Sequence, residues 1–167
     1  MTPQYNYTDD LWDSKADVIA VTTNGQIGVN GLMMGGGSAL QAKQRFPFLP
    51  RAAGNAIERG WGHGRMFPDW KLYGWLYMGD NLEGYAPGAS KYRIGLFQTK
   101  GLIKYPSLLA LIGYSTMKLY EWWLRYPTTT VALAFPGIGH GKLTPEAVRP
   151  ILDILPPTVT IYGNKLP

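Results

Sequence analysis

Short apolar runs alternate with helix-like spacing along this chain. The runs are rich in β-branched and aromatic residues, as is typical of strands buried in a sheet. They cover residues 17–22, 72–78, 92–98, 129–135 and 159–162. Helical spacing covers residues 38–46, 51–59 and 107–124, and a further helix is predicted to start at residues 144–146. This alternation predicts an α/β fold, namely a three-layer α/β/α sandwich with a central mixed, largely parallel sheet.

Proline residues and a serine hydroxyl indicate where the predicted helices begin and end. Pro47 and Pro50 are expected to end the first helix. Ser107 is the expected N-cap of the longest helix, and Pro145 suits the first position of the last one.

Two glycine-rich segments, residues 25–37 and 136–142, each follow a predicted strand and precede a helix. In an open α/β sheet such loops meet at the carboxyl ends of the strands, where ligands bind. Glycine lets backbone amides approach a phosphate closely, and a helix N-terminus favours its negative charge. One such loop alone would be more typical of a flexible turn, but two loops at matching places predict a site for a diphosphate. The spacing matches neither GxGxxG with a downstream acid nor GxxxxGK[ST].

Composition narrows the class of protein. The 167 residues suit one domain, residues 1–167, and 46% hydrophobic with 16% charged residues is a globular composition. The net charge of +5 is compatible with an anionic ligand or a nucleic acid. The absence of cysteine excludes disulfides and thiolate metal sites, and two distant histidines predict no metal and no cofactor. No signal peptide or membrane span is evident, so a cytoplasmic monomer is expected.

Three motifs resemble the macrodomain family, which binds ADP-ribose. They are DDLWDSKADVIAVTTNG at residues 9–25, MGGGSALQAKQRFP at 34–47 and FPGIGHGKLTPEAVRPIL at 135–152. Within the family, ALQAKQRFP at 39–47 and LFQTKGLIKYPSLL at 96–109 are similar to one branch. That branch contains the terminal ADP-ribose protein glycohydrolase and the antitoxin macrodomain that removes ADP-ribose from DNA.

The resemblance implies a role for each matching residue. Asp10 would accept a hydrogen bond from the adenine amino group, and Asn24 would contact the distal ribose. The diphosphate would lie on the amides of both glycine loops, and Tyr162 would lie beside adenine. The complete implied ligand-binding set is Asp10, Leu11, Asn24, Met34, Gly35, Gly36, Gly37, Gly137, Ile138, Gly139, His140, Gly141 and Tyr162.

Lys100 matches the catalytic lysine of that branch, which is thought to attack the anomeric carbon of the distal ribose. A lysine amine forms a Schiff base with an opened sugar only when it is deprotonated, which burial beside positive groups promotes. Lys104, four residues on, is a candidate for such a group. A surface lysine at a strand end is the alternative interpretation of Lys100.

This sequence departs from the branch at three places. No acid lies between Phe135 and Lys142, where the human-type glycohydrolase has a catalytic aspartate. His140 is the candidate acid or base there, because imidazole is the side chain most often used for proton transfer. Residues 102–103 read Leu-Ile where the antitoxin has His-Trp, and Gln98 stands where proline is common.

These features leave several hypotheses. The first is an ADP-ribosyl hydrolase whose partner is an ADP-ribosylated protein or DNA. The second is a module that binds ADP-ribose or a related NAD-derived nucleotide without turnover, and the third is a phosphatase acting on ADP-ribose 1''-phosphate. Binding of nucleic acid through the basic excess is compatible with the first, and its sign would be strong salt dependence.

Overall fold

The structure is a computed structural model that describes residues 1–61 and 70–163. Its strands are β1 (Gln4–Asn6), β2 (Val18–Thr23), β3 (Ile27–Gly28), β4 (Gly31–Leu32), β5 (Trp75–Tyr77), β6 (Ile94–Gln98), β7 (Val131–Ala134) and β8 (Val159–Tyr162). Its α-helices are α1 (Gly37–Arg45), α2 (Leu49–Trp61), α3 (Leu109–Arg125) and α4 (Pro145–Leu152). No helix in the described part of the chain is long and apolar enough to span a membrane.

Six strands form one mixed sheet in the order β1-β8-β7-β2-β6-β5. All neighbours are parallel except β5, which runs antiparallel to β6 at one edge. The chain leaves β2 at the centre and returns on both sides of it, as β6 and as β7. The carboxyl ends of β2, β6 and β7 therefore open side by side, which is where α/β sheets bind ligands.

Helices cover both faces of this sheet. On one face, α1 and α2 pack through small residues such as Ala42 and Ala53 onto Val21 and Leu96. On the other face, Ile112 of α3 and other apolar residues of α3 and α4 pack onto the opposite side of the same strands. Alternate residues of β2 enter the two clusters, as the period of two in a strand requires. The predicted three-layer α/β/α fold with a largely parallel sheet is confirmed.

Most predicted elements form within a few residues of their expected bounds. The exception in length is the strand predicted at 72–78, which is confined to Trp75–Tyr77. β1, the β3–β4 hairpin and a short 3-10 helix over Leu11–Asp13 were not predicted. Elements of two or three residues are too short to show a hydrophobic period, so the pattern of the sequence does not reveal them.

The prediction that Ser107 caps α3 is wrong. The N-cap is Leu108, whose side chain makes no capping hydrogen bond. Ser107 lies one residue outside the cap and is buried, and its amide donates to the carbonyl of Gly141 at 3.0 Å. The serine therefore joins the segment before α3 to the second glycine-rich loop, a contact across the sheet edge that a local capping rule does not include.

Candidate functional site

A cleft of about 250 Å³ lies at the carboxyl ends of the three central parallel strands. Its walls are the segments that follow β2, β6 and β7. The lining residues are Thr22, Thr23, Asn24, Gly35, Gly36, Gly37, Ala39, Thr99, Lys100, Ile103, Ser107, Gly137, Ile138, His140 and Gly141. These described lining residues include a lysine and a histidine but no carboxylate, so the cleft suits an anion.

The first glycine loop presents unpaired amides to this cleft. The amides of Gly35, Gly36 and Gly37 donate no hydrogen bond within the described residues. Gly37 begins α1 with a φ of +56°, a left-handed conformation that disfavours any side chain. A Cβ added at Gly35 would meet no atom of the protein within 4 Å. Packing within the protein therefore does not explain glycine at position 35.

The second glycine loop does not lead straight into a helix, although the sequence predicted that it would. A 3-10 helix, Gly139–Gly141, stands between the loop and α4, whose N-terminus is capped by the hydroxyl of Thr144. The amides of residues 137–140 donate no hydrogen bond within the described part of the chain. Gly141 packs directly against Ser107, so this position has no room for a side chain.

The two loops face each other across the cleft. A Cβ added at Gly36 would lie 3.5 Å from Cδ2 of the His140 ring. The ring of His140 is exposed and lies opposite the N-terminus of α1. The arrangement brings two rows of amide donors, one helix N-terminus and an imidazole to one narrow opening, which is the chemistry that binds phosphate groups.

Asn24 lies in the cleft wall, and half of the hydrogen-bonding capacity of its side chain is already used. Its Nδ2 donates to the carbonyl of Met33 at 2.7 Å, and its Oδ1 accepts from the amide of Gln26 at 2.9 Å. The side chain therefore fixes both ends of the segment that carries the β3–β4 hairpin. One Nδ2 hydrogen remains for a ligand, because an amide nitrogen has two.

Lys100 is the only lysine among the described residues that line the cleft. It is partly buried, and its Nζ donates to the carbonyl of Ile103 at 3.2 Å. Burial lowers the pKa of Lys100 from its ordinary value, and the positive charge of Lys142 lowers it further. The proposed contribution of Lys104 is wrong: its ammonium lies over the ring of Tyr105, 5.2 Å from the centroid, and the second positive charge is that of Lys142.

The buried side chain of Gln98 holds the backbone of Lys100 in place through a hydrogen bond. Its side chain is fully buried, and its Oε1 accepts from the amides of Tyr73 and Gly74 at 2.8 and 2.9 Å. Its Nε2 donates to the carbonyls of Lys71 and Lys100 at 2.8 and 3.3 Å. A proline at position 98 has neither group, so the glutamine gives this chain its own way of fixing the backbone of the candidate nucleophile.

Two DarG macrodomains and a DarTG protein are among the solved structures that are similar to this chain. The macrodomain of Thermus aquaticus DarG matches with a TM-score of 0.65 at 24% identity, over 98% of this chain and 97% of the other. The macrodomain of Mycobacterium tuberculosis DarG matches with a TM-score of 0.63 at 26% identity, over 96% and 97%. Thermosipho africanus DarTG in complex with ADP-ribose matches with a TM-score of 0.65 at 22% identity, over 95% of this chain and 41% of the other.

The fold is that of a macrodomain. The family resemblance that the three sequence motifs indicated is confirmed, and DarG macrodomains are among its structural relatives. No family model matches the sequence, and no curated protein sequence is significantly similar to it. The macrodomain framework here is thus recognised by its three-dimensional structure and by short motifs.

The macrodomain cleft brings together most residues of the predicted site. Asn24, the glycines 35–37, Lys100 and His140 all line it, together with Gly137, Ile138 and Gly141. The remaining predicted residues lie outside its lining: they are Asp10, Leu11, Met34, Gly139 and Tyr162.

Asp10 and Tyr162 were predicted to lie beside adenine, and Leu11 and Met34 were predicted to bind the ligand. The carboxylate of Asp10 accepts from the amide of Trp12 at 2.9 Å and so caps the N-terminal 3-10 helix. Leu11 and Met34 are buried in the core cluster under α1, and Tyr162 packs against the same cluster. Their contact with a ligand stays a prediction.

Several residues that line the cleft or hold its lining in place were not predicted from the sequence. Thr22 and Ser38 are joined by a hydrogen bond from the Thr22 amide to the Ser38 hydroxyl at 3.0 Å, which ties α1 to β2. The Tyr73 hydroxyl donates to the carbonyl of Asn24 at 2.6 Å and also bonds the hydroxyl of Thr23. These contacts join residues far apart in the chain and carry no local signal. The described residues contain no group of three acidic or histidine side chains placed to hold a metal, and His63 lies outside them.

Proposed function

We propose that this chain binds ADP-ribose in the cleft and removes it from a modified macromolecule, with Lys100 as the nucleophile. The observation that carries the proposal is the pair of glycine loops whose unpaired amides face each other beside a partly buried lysine. A diphosphate offers enough acceptor oxygens for both rows of amides. The similar DarTG structure, which is in complex with ADP-ribose, supports this choice of ligand.

The proposed pose follows from the positions of the walls. The diphosphate lies between residues 35–37 and residues 137–141, and the distal ribose points toward Asn24 and Lys100. Adenine lies toward Asp10, Leu11 and Tyr162, at the end where the 3-10 helix packs beside β7. Met34 supports the first loop from the core side.

The proposed reaction uses Lys100 in its neutral form. The amine nitrogen forms a bond to the anomeric carbon of the distal ribose while the bond to the macromolecule breaks, and the nitrogen then loses a proton to solvent. Opening of the ribose ring converts this adduct into a Schiff base. The leaving group takes a proton, for which His140 is the candidate donor because its imidazole lines the cleft. Water then attacks the covalent intermediate, which releases ADP-ribose and restores the amine.

A Lys100→Ala substitution tests the nucleophile. We expect the variant to bind ADP-ribose with nearly the parent affinity, because the amide rows remain. We expect its hydrolysis of an ADP-ribosylated substrate to fall by about a hundredfold or more, since the covalent route is lost. Borohydride reduction during turnover should attach ADP-ribose to the parent at Lys100 and not to the variant. Full turnover by the variant would contradict the mechanism.

A non-catalytic ADP-ribose-binding module is the second candidate, and a specific observation favours it. The described lining of the cleft has no carboxylate to activate water or orient the ribose. Under this alternative the pure parent protein binds ADP-ribose but releases none from ADP-ribosylated protein or DNA. Release of free phosphate from ADP-ribose 1''-phosphate would instead identify a phosphatase.

A further inference from the structure

Four large apolar side chains lie exposed on the segment between β6 and the first turn of α3. Ile103, Tyr105, Leu108 and Leu109 are 39%, 55%, 50% and 39% exposed. We call these four residues the apolar rim. Four exposed apolar side chains within seven residues concentrate apolar surface on one short segment, and concentrated apolar surface is a feature of sites that contact a partner.

Backbone hydrogen bonds hold the segment of the apolar rim in place. The amide of Ile103 donates to Oε1 of Gln26 at 3.1 Å, and the amide of Leu108 donates to the carbonyl of Thr99 at 3.0 Å. Between them, the amide of Ser107 donates to Gly141. The exposed side chains therefore stand on a fixed backbone, so a partner binding them does not first have to order the loop.

The apolar rim is also continuous with the cleft. Ile103 and Ser107 line the cleft from the same segment whose outer side carries Tyr105 and Leu108. Lys100 lies three residues before Ile103 and donates to its carbonyl. Whatever is attached to the distal ribose at Lys100 must leave the cleft past one of its walls, and this wall is the one with exposed apolar side chains.

The chemistry of the rim favours a protein over a nucleic acid. Single-stranded nucleic acids bind to aromatic faces on which bases stack and to a track of cations. Three of the four rim residues are aliphatic, and the ring of Tyr105 is already covered by the ammonium of Lys104. Outside the cleft, this segment carries the positive charge of Lys104 and no acid, which complements an apolar segment with acidic neighbours.

We infer that the apolar rim docks the polypeptide next to an ADP-ribosylated residue, so that the substrate class is an ADP-ribosylated protein. This inference rests on the proposed function of the cleft. The partner it fits is a segment with apolar side chains near the modification and carboxylates beside them.

The test uses Leu108→Ser, with Tyr105→Ser as a second variant. Leu108 is the N-cap of α3 and makes no capping bond, and serine is a favoured N-cap, so this change should not weaken the fold. Leu124→Ser is the matched control, because Leu124 is 57% exposed near the other end of α3, roughly 20 Å away by helical rise. All variants carry Lys100→Ala as well, so that hydrolysis does not consume the probes.

Three probes are compared by calorimetry or fluorescence anisotropy: ADP-ribose, a short ADP-ribosylated peptide with leucine and glutamate beside the modification, and an ADP-ribosylated DNA oligonucleotide. We expect the peptide to bind about tenfold more tightly than ADP-ribose, a gain that corresponds to burying one or two apolar side chains. Leu108→Ser and Tyr105→Ser should remove most of this gain, while Leu124→Ser should keep it. All four proteins should bind ADP-ribose equally.

Two results would overturn the inference while leaving the proposed function intact. One is a peptide advantage that Leu108→Ser and Tyr105→Ser preserve in full. The other is an advantage, sensitive to Leu108→Ser, that appears with the oligonucleotide and not with the peptide. If ADP-ribose itself does not bind, the proposed function fails, and the inference fails with it.

Discussion

At the scale of single residues, the proposed reaction depends on the electrostatic surroundings of Lys100, which set how much of its amine is neutral. The site is partly buried, and neither Lys100 nor Lys142 has a carboxylate partner among the described ion pairs. Lys142 has a φ of +64°, the only positive φ of a non-glycine residue in the described chain. A side chain in this conformation costs about 1 kcal/mol. The strained residue is thus also the one whose charge acts on the candidate nucleophile.

The groups near Lys100 define what a pH measurement would report. Lys142 is the charged neighbour that lowers the pKa of Lys100, and burial is the larger cause. His140 lines the same cleft, while Lys104 and Lys71 lie on adjoining segments. Because a lower pKa leaves more of the amine neutral, the reactive fraction at neutral pH should decrease when the charge of Lys142 is removed.

A Lys142→Met substitution should therefore raise the pKa of Lys100. The alkaline rise of the hydrolysis rate should shift to higher pH, and the rate at neutral pH should fall several-fold. The pH dependence of Lys100 acylation, followed by peptide mass spectrometry, measures the same pKa without requiring activity. Lys118→Met is the control, because Lys118 pairs with Glu121 on α3 at 3.6 Å. An unchanged acylation profile in Lys142→Met would show that Lys142 does not act on Lys100.

At the scale of elements, the glycines of the first loop serve two different purposes: one allows a backbone conformation, and the other leaves space for a ligand. Gly37 has a left-handed φ, so its glycine is required by backbone conformation. Gly35 has neither a positive φ nor a nearby protein atom, so its glycine is not required for folding. We propose that the diphosphate supplies the missing reason, because Gly35 lines the cleft and a Cβ there would occupy space that the protein leaves open.

The pair Gly37→Ala and Gly35→Ala tests this separation. Gly37→Ala should lower the free energy of unfolding by about 1 kcal/mol, because alanine is strained at that φ. Gly35→Ala should change it by less than about 0.5 kcal/mol, as exposed substitutions usually do. Urea unfolding measures both, and calorimetry should show that Gly35→Ala weakens ADP-ribose binding in spite of its stability. A stable Gly35→Ala variant with full affinity would contradict the proposed contact.

Elements were predictable from the sequence to the extent that they repeat a period. β2, β6, β7 and β8 are apolar runs long enough to be recognised, and α1 and α3 show helical spacing. The meeting of the two glycine loops followed from the rule for parallel strands, whereas the resemblance to the family indicated Lys100. The packing of Ser107 on Gly141 and the bonds of Gln98 were not predictable, because they join segments that only the folded sheet brings together.

At the scale of the whole molecule, the distribution of charge matters more than its sum. The net charge of +5 alone is compatible with many ligands. The lining of the cleft is more informative than the net charge. Among its described residues are unpaired amides, a lysine and a histidine, and no carboxylate. This local positive character is what a dianionic diphosphate requires.

Binding of ADP-ribose in this cleft is best tested by a calorimetric titration of ADP-ribose into the parent protein, Gly36→Glu and Gly84→Glu. Gly36 has an extended backbone that any residue adopts, and a Cβ there makes only an ordinary contact with His140, so Gly36→Glu should fold. Its carboxylate would stand among the amides and repel the diphosphate. Gly84 is exposed and away from the cleft, with no protein atom near an added Cβ, which makes it a matched control.

We expect the parent protein and Gly84→Glu to bind ADP-ribose, and we expect no detectable binding by Gly36→Glu. Absence of binding by the parent, or equal binding by all three proteins, would contradict the assignment of this cleft to ADP-ribose.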